Sequence, residues 1–362
     1  MKNNTKKAII GLGVVLVLLL GLWFVIGRQP AEEPVAEKPA AVTPQPVTPQ
    51  PQPQPVAEKP EPQELVFATT DSPEGAESRL QKMVAELIEE RTEGAITFEH
   101  VFGGAIGGDK LVTEMLGQGL LQLSRTGGFP SANYLKDVMA INIPFLFKEW
   151  EQVERFRDEF RDEMNKEAAK YNLYILAWTM RNPRLLTSNV AVRSPEDIKG
   201  LKLRLPEFPT WVHVWGKLGA IATPMPFVEV YGALERGIVD AQENPIETIY
   251  AQKFYEVQDY LIMTEHMRWI SEWSVNLEWF MGLPEETRNI IKEAFLEMEQ
   301  YALEVKPEFE GRLLTSIADK IEIIEVDKDA LWKAAAPIVR EAVEQFMRPD
   351  VKEWLLKEGL IQ

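Results

Sequence analysis

Residues 184–250 read RLLTSNVAVRSPEDIKGLKLRLPEFPTWVHVWGKLGAIATPMPFVEVYGALERGIVDAQENPIETIY, and their punctuation decides the fold. Ser194-Pro195-Glu196-Asp197 marks a turn or a helix start. Leu201-Lys202-Leu203-Arg204-Leu205 alternates apolar and basic residues until Pro206. That pattern is a short strand with Arg204 near its carboxyl end. A helix follows over 210–218, closed by Gly219. Residues 222–225 read as extended chain, and 227–236 as a helix with Val230, Ala233 and Leu234 on one face. Gly237 stops it. Ile238-Val239 extends, and Asp240-Ala241-Gln242-Glu243-Asn244-Pro245 is polar where that strand ends. Strand and helix alternate, so the class is α/β, and open sheets of that class bind ligands beyond the carboxyl ends of their strands.

The same alternation runs outward on both sides. Residues 64–70 form a strand, 78–91 a helix with Leu80, Met83, Val84, Leu87 and Ile88 on one stripe, and 96–102 a second strand. Gly103, Gly104, Gly107 and Gly108 make a loop that lacks the endings of a phosphate cradle. Asp109 suits an N-cap for a helix over 109–117. Leu120–Ser124 reads as a buried strand, with Arg125 following at its carboxyl end. A charged amphipathic helix over 151–171 leads into a strand at 173–178. After Tyr260 the chain turns aromatic, with His266, Trp269, Trp273, Trp279 and Phe280, and reads as extended. A helix from Glu285 to about Leu313, a strand over 320–326 and helices broken at Pro349 complete the chain.

The chain has 362 residues, enough for two domains with cores of their own. It has no cysteine, so neither a disulfide scaffold nor a thiol nucleophile is available. A net charge of -17 argues against nucleic acid as a partner. His100, His213 and His266 show no metal-ligand spacing, and His213 sits in an apolar helix as a structural residue. Glu207 and Glu243 are the one pair considered for a cation. No metal and no cofactor is expected, and no nucleophile–base pair marks an enzyme.

Lys2, Lys6 and Lys7 precede Ala8–Gly27, twenty residues without a polar side chain. That length spans a bilayer as a helix, with the lysines holding the amino terminus in the cytoplasm. A cleaved signal peptide is the rival reading. Its apolar core is usually shorter, and no A-x-A site follows Gly27. Residues 29–63 are rich in Pro, Gln, Glu, Ala and Val, and read as an extended spacer reaching on the order of 100 Å. A P-x-x-P ligand is the alternative there.

Several ordered words carry a family likeness. They are Ser194-Pro195-Glu196-Asp197-Ile198-Lys199-Gly200-Leu201-Lys202-Leu203-Arg204, Pro224-Met225-Pro226-Phe227-Val228-Glu229-Val230-Tyr231, Val239-Asp240-Ala241-Gln242-Glu243-Asn244-Pro245 and Lys253-Phe254-Tyr255-Glu256-Val257-Gln258. The chain from about Leu65 to about Phe346 resembles the solute-binding proteins of the tripartite ATP-independent periplasmic (TRAP) transporters, of the dicarboxylate-binding type. The first sixty residues have no part in the likeness. A membrane anchor departs from the family pattern, which implies a freely soluble periplasmic protein.

The resemblance implies a two-lobe periplasmic binding protein-like fold with the ligand cleft between the lobes. Residues 64–181 with 270–309 are expected in lobe I, and 182–269 with 310–362 in lobe II, behind an anchor or signal at 1–28 and a linker at 29–63. It implies an extracytoplasmic receptor for an organic acid anion, a monocarboxylate, dicarboxylate or sugar acid, handed on to TRAP membrane subunits. A membrane-tethered sensor uncoupled from transport is the alternative. Arg204 matches the family's principal carboxylate-binding arginine, with Arg184 and Asn244 beside it and Phe227 lining the pocket. An arginine fork fits a carboxylate bidentately, which lysine cannot do. The bland reading of Arg204 is a strand arginine paired to Glu207. Arg125 stands where the family has small residues, and is either a cleft contact or an ion-pair partner. Trp211 either lines the cleft or packs. Trp269 and Trp273 lie in the segment expected to border the pocket.

Overall fold

The computed structural model describes residues 62–362 except residue 136. The expected anchor at 8–27 and the Pro-rich linker up to residue 61 lie outside the described residues. Among the described residues no helix is long and apolar enough to cross a membrane. In chain order the strands are β1 (Gln63–Ala68), β2 (Ile96–Val101), β3 (Leu123–Gly127), β4 (Leu173–Met180), β5 (Arg184–Ser188), β6 (Lys202–Leu205), β7 (Ile221–Pro224), β8 (Ala241–Pro245), β9 (Tyr260–Ile262), β10 (Ile270–Asn276) and β11 (Glu322–Ile324). The helices are α1 (Ala76–Arg91), α2 (Asp109–Gly117), α3 (Phe129–Asn133), α4 (Trp150–Ala169), α5 (Pro209–Lys217), α6 (Val230–Glu235), α7 (Ile246–Ala251), α8 (Leu277–Gly282), α9 (Glu285–Ile317), α10 (Lys328–Phe346) and α11 (Pro349–Lys357).

The strands form two sheets, one per lobe. A five-stranded sheet runs β2-β1-β3-β10-β4 and a six-stranded sheet runs β11-β9-β5-β8-β6-β7. In the first, β1 lies parallel to β2 and β3, and β10 inserts antiparallel to β3 and β4. In the second, β6 is parallel to β7 and β8, while β5 is antiparallel to β8 and β9. The chain passes between the sheets after β4 and again before β10, and α9 then leads back to β11. Both sheets are therefore mixed, and each takes strands from distant parts of the chain.

Burial follows the sequence stripes. In the first lobe Leu80, Val84 and Ile88 of α1 pack with Phe67, Trp273 and Phe295. In the second, Leu185, Val230, Ile249, Phe254 and Leu261 close one face of the sheet. A third apolar cluster joins Phe156 and Trp178 to Leu203, Trp215 and Val339. Proline opens α5 and α11, where its fixed φ suits the first helical turn and its missing N–H goes unneeded. Ile143-Pro144-Phe145-Leu146-Phe147 packs into the core: Phe145 meets Trp215 and Trp332, and its N–H donates to the His266 carbonyl at 2.8 Å.

Four local expectations need correction. The strand expected at 120–124 lies at β3, three residues on, and carries Ser124, Arg125 and Thr126 buried. Leu120 is exposed. The strand expected at 238–239 lies at β8, whose polar residues form the strand rather than its end. In both strands, buried hydrogen bonds satisfy the polar side chains, so apolar alternation is a poor guide. Asp109 is not the N-cap of α2. Gly108 holds that place, and Asp109 turns its carboxylate to the Thr70 hydroxyl at 2.9 Å. Trp273 does not border a pocket. A register shift in β10 seats it in the first core, in an edge contact with Phe67, with Nε1 donating to Thr179 Oγ1 at 3.0 Å.

Candidate functional site

Strand ends and adjoining loops of both lobes surround a cavity of about 360 Å³. That is within the roughly 300–1,000 Å³ of small-molecule sites. From the first sheet come Thr70 and Asp71 after β1, Asp109 at the start of α2, and Arg125 on β3. From the second come Arg184 on β5, Arg204 on β6 and Asn244 on β8. Phe227, Trp211 and Trp269 add aromatic walls. The seven residues singled out from the sequence, Arg204, Asn244, Arg184, Phe227, Trp211, Arg125 and Trp269, thus line one cavity.

The arginines differ in what already holds them. Arg184 gives Nε and Nη2 to the Glu243 carboxylate and also donates to the Glu243 carbonyl at 2.7 Å and Asn244 Oδ1 at 3.0 Å. Its guanidinium carbon lies 4.7 Å from the Trp211 ring centre and 5.0 Å from that of Trp269. Cation–π contacts of that kind contribute about 0.5–2 kcal/mol. Arg125 donates to Ser271 Oγ and Thr70 Oγ1, and stands 3.5 Å from Glu77 and 3.6 Å from Asp109. It is both a cavity wall and an ion-pair partner.

Arg204 is the exception. It is 3% exposed, and its Nε and Nη2 donate only to the Met225 carbonyl, at 3.2 and 2.8 Å. Among the described residues no carboxylate pairs with it, Glu207 included. Burial pushes its guanidinium down to about 10, against the pull of Glu243 and helped by the nearby Arg184. A buried cation with unspent donors is an anion site: its lost hydration is recovered when a carboxylate enters.

Behind the cavity the carboxylates are organised. The Glu243 carboxylate also accepts from His266 Nε2 at 3.1 Å. Burial opposes the Glu243 charge, but Arg184 and His266 outweigh it and hold its carboxyl below the usual range. Burial pushes the His266 imidazole down despite Glu243. Burial pushes Glu77 and Asp109 up, with Arg181 and Arg125 limiting the first and Arg125 the second. Burial also pushes Glu272 well up; its carboxyl meets Ser131 and, among the described residues, no cation.

Sequence reasoning missed Arg181 and Asp71. Arg181 follows β4, gives Nε to Glu247 at 2.8 Å and Nη2 to Thr248 at 2.7 Å, and stands 3.4 Å from Glu77. The signal was available, because Arg181 stands just after a strand end, as Arg125 was read to do. Glu207 is exposed at the rim and Glu243 faces Arg184, so the pair considered for a cation does not converge. Among the described residues no group of His, Asp and Glu is arranged to hold a metal.

Comparison with known proteins identifies the family and the fold. The family model for bacterial extracellular solute-binding protein, family 7, matches residues 67–346. A solute-binding protein of Roseobacter denitrificans is 30% identical over 272 residues, 72% of this chain and 81% of the relative. The sialic acid-binding periplasmic protein SiaP of Vibrio cholerae is 29% identical over 278 residues, 75% of this chain and 86% of the relative. A crystal structure of a TRAP periplasmic solute-binding protein from Roseobacter denitrificans with bound L-galactonate superposes with a TM-score of 0.74 at 26% identity. The match covers 83% of this chain and 99% of that one.

Proposed function

The chain belongs to the bacterial extracellular solute-binding proteins of family 7, and from that premise we propose that it is a TRAP receptor for an organic acid anion, of the sugar-acid class. Arg204 takes the solute carboxylate. Asn244 and Arg184 shape that end of the cleft, Phe227, Trp211 and Trp269 wall it, and Arg125 closes the far side. One observation carries the reading: Arg204 alone among the cavity's arginines is buried with no carboxylate of its own. The ligands named for two relatives, sialic acid and L-galactonate, support the sugar-acid class. The filled receptor delivers its solute to the membrane subunits of the transporter. The division into lobe I (64–181 with 270–309) and lobe II (182–269 with 310–362) is part of the proposal. The family is one of binding proteins, not of enzymes. The tethered-sensor alternative rests on residues outside the described part and gains nothing from the cleft.

Calorimetry with a panel of aldonates, uronates and C4-dicarboxylates tests this. The expected result is saturable one-to-one binding of at least one acid and none of the corresponding neutral sugars. Binding of a neutral sugar with equal affinity overturns the reading.

We further propose that residues 8–27 stay on the mature protein and hold it at the outer face of the cytoplasmic membrane, the spacer setting its reach. Amino-terminal sequencing from the native host is expected to find the uncleaved chain. A start anywhere between residues 28 and 64 ends the anchor proposal.

A further inference from the structure

Asp71 lies in the loop after β1, lines the cavity and is 5% exposed. Its backbone is tied down, its N–H donating to Thr69 Oγ1 at 3.2 Å and its carbonyl accepting from Gly103 at 2.7 Å. Its carboxylate, among the described residues, has neither a hydrogen bond nor an ion pair. The neighbouring buried acids are all engaged: Glu77 and Glu247 by Arg181, Glu243 by Arg184. Arg181 feels the Asp71 charge without hydrogen-bonding or ion-pairing to it. Burying a carboxylate without a direct partner is costly, and such groups are normally paired. Asp71 is therefore the counterpart of Arg204, an acceptor left open on the first lobe as Arg204 is a donor left open on the second.

The surroundings sharpen the point. Asp109 and Glu114 line the same wall. Arg125 and Arg181, the cations nearby, each already face two carboxylates, Glu77 with Asp109 and Glu77 with Glu247. A second anionic group on the solute would meet like charge there: among the described residues the one further cation on that wall without an ion pair is Lys110, which is exposed to solvent and next in the chain to Asp109.

We propose that Asp71 selects the end of the solute remote from its carboxylate, accepting from a hydroxyl or ammonium there and excluding a second carboxylate. The solute class is thus a monocarboxylate with a donor-bearing far end. This rests on the reading of Arg204 as the carboxylate socket.

Calorimetry on the full-length protein with L-galactonate and with galactarate is the test. The two acids share six carbons and differ in whether the far end is a hydroxymethyl or a carboxylate. Wild type is expected to bind L-galactonate at least about tenfold more tightly, a difference of about 1.4 kcal/mol. Asp71→Asn is expected to shrink that ratio at least about fivefold. The substitution keeps the shape and removes no hydrogen bond or ion pair, and circular dichroism checks that it folds. Asp71→Ser serves as a second variant and is expected to shrink the ratio likewise. The 6-amino analogue of L-galactonate separates the two donors. Tighter binding than L-galactonate in wild type, lost in Asp71→Asn, identifies an ammonium end, and weaker binding a hydroxyl end. Equal or tighter binding of galactarate by wild type overturns the inference, as does an unchanged ratio in both variants. Both of those outcomes leave the Arg204 reading standing. Binding of neither acid overturns the sugar-acid reading and this inference with it.

Discussion

Arg204→Lys is expected to raise the dissociation constant for the best acid of the panel by about 30-fold to several-thousand-fold. The estimate comes from the roughly 2–5 kcal/mol lost when one partner of a buried charged hydrogen-bonded pair is impaired. Lysine keeps the positive charge, so a purely electrostatic role would be spared. It loses the fork. In the wild type one edge of the guanidinium is fixed on the Met225 carbonyl, which orients the rest of the plane. An ammonium has no second edge: held by the carbonyl, it presents a point charge, and turned to the solute, it strands the carbonyl. The guanidinium carbon also lies 5.9 Å from the Phe227 ring centre, a contact that lysine does not reproduce in planar form. Calorimetry measures the loss, with circular dichroism confirming the fold. Binding within threefold of wild type removes Arg204 from the centre of the site.

Much of the architecture was legible because it is written in apolar periods and stop signals. The Leu203 and Leu205 alternation ending at Pro206 gave β6, and the Val230, Ala233 and Leu234 stripe ending at Gly237 gave the short helix beside the cleft. The seven proposed site residues came from a family likeness and from strand-end position, and they converge on one cavity. What stayed hidden is polar and buried. Arg125 and Thr126 on β3, and Gln242, Glu243 and Asn244 on β8, look like residues beyond a strand end in one dimension. They are strand residues because each finds a partner: Gln242 on Thr187 at 2.8 Å, Asn244 on Gln242 at 2.6 Å, Thr126 with Ser274 at 3.0 Å. Thr187 and Ser274 lie tens of residues away on other strands, where no local pattern reaches, and Gln242 can hold Asn244 only because it is itself fixed on Thr187. Asp71 was invisible for the opposite reason. Its significance is the partner it lacks, and only the packed structure shows that the neighbouring acids are taken.

Glu243→Gln is expected to be the most destabilising conservative change in the cleft. Glu243 is fully buried, holds two nitrogens of Arg184 and meets His266. The amide keeps the volume but removes the charge and turns a donor toward groups that are donors themselves. Arg184, 3% exposed, is left with its charge uncompensated. Breaking one side of a buried ion pair costs about 3–5 kcal/mol, whereas replacing both sides by apolar residues is often neutral. The double variant Arg184→Met with Glu243→Leu should therefore be more stable than Glu243→Gln alone, although it changes more atoms. The pH dependence has a definite sign. The folded-state carboxyl of Glu243 titrates below the ordinary glutamate value of about 4.3. Its contribution is present above that value and lost as pH falls through the lower folded one. The imidazole of His266, also pushed down, removes stability earlier, as pH falls below about 6.5. In Glu243→Gln the loss near pH 6.5 should remain and the loss below about pH 4.3 should shrink. Urea unfolding at several pH values reads both effects. A cost under about 1 kcal/mol, or a double variant no more stable than the single, means that the Arg184–Glu243 pair does not hold this wall of the cleft. Arg184 would then be free to take the solute carboxylate itself.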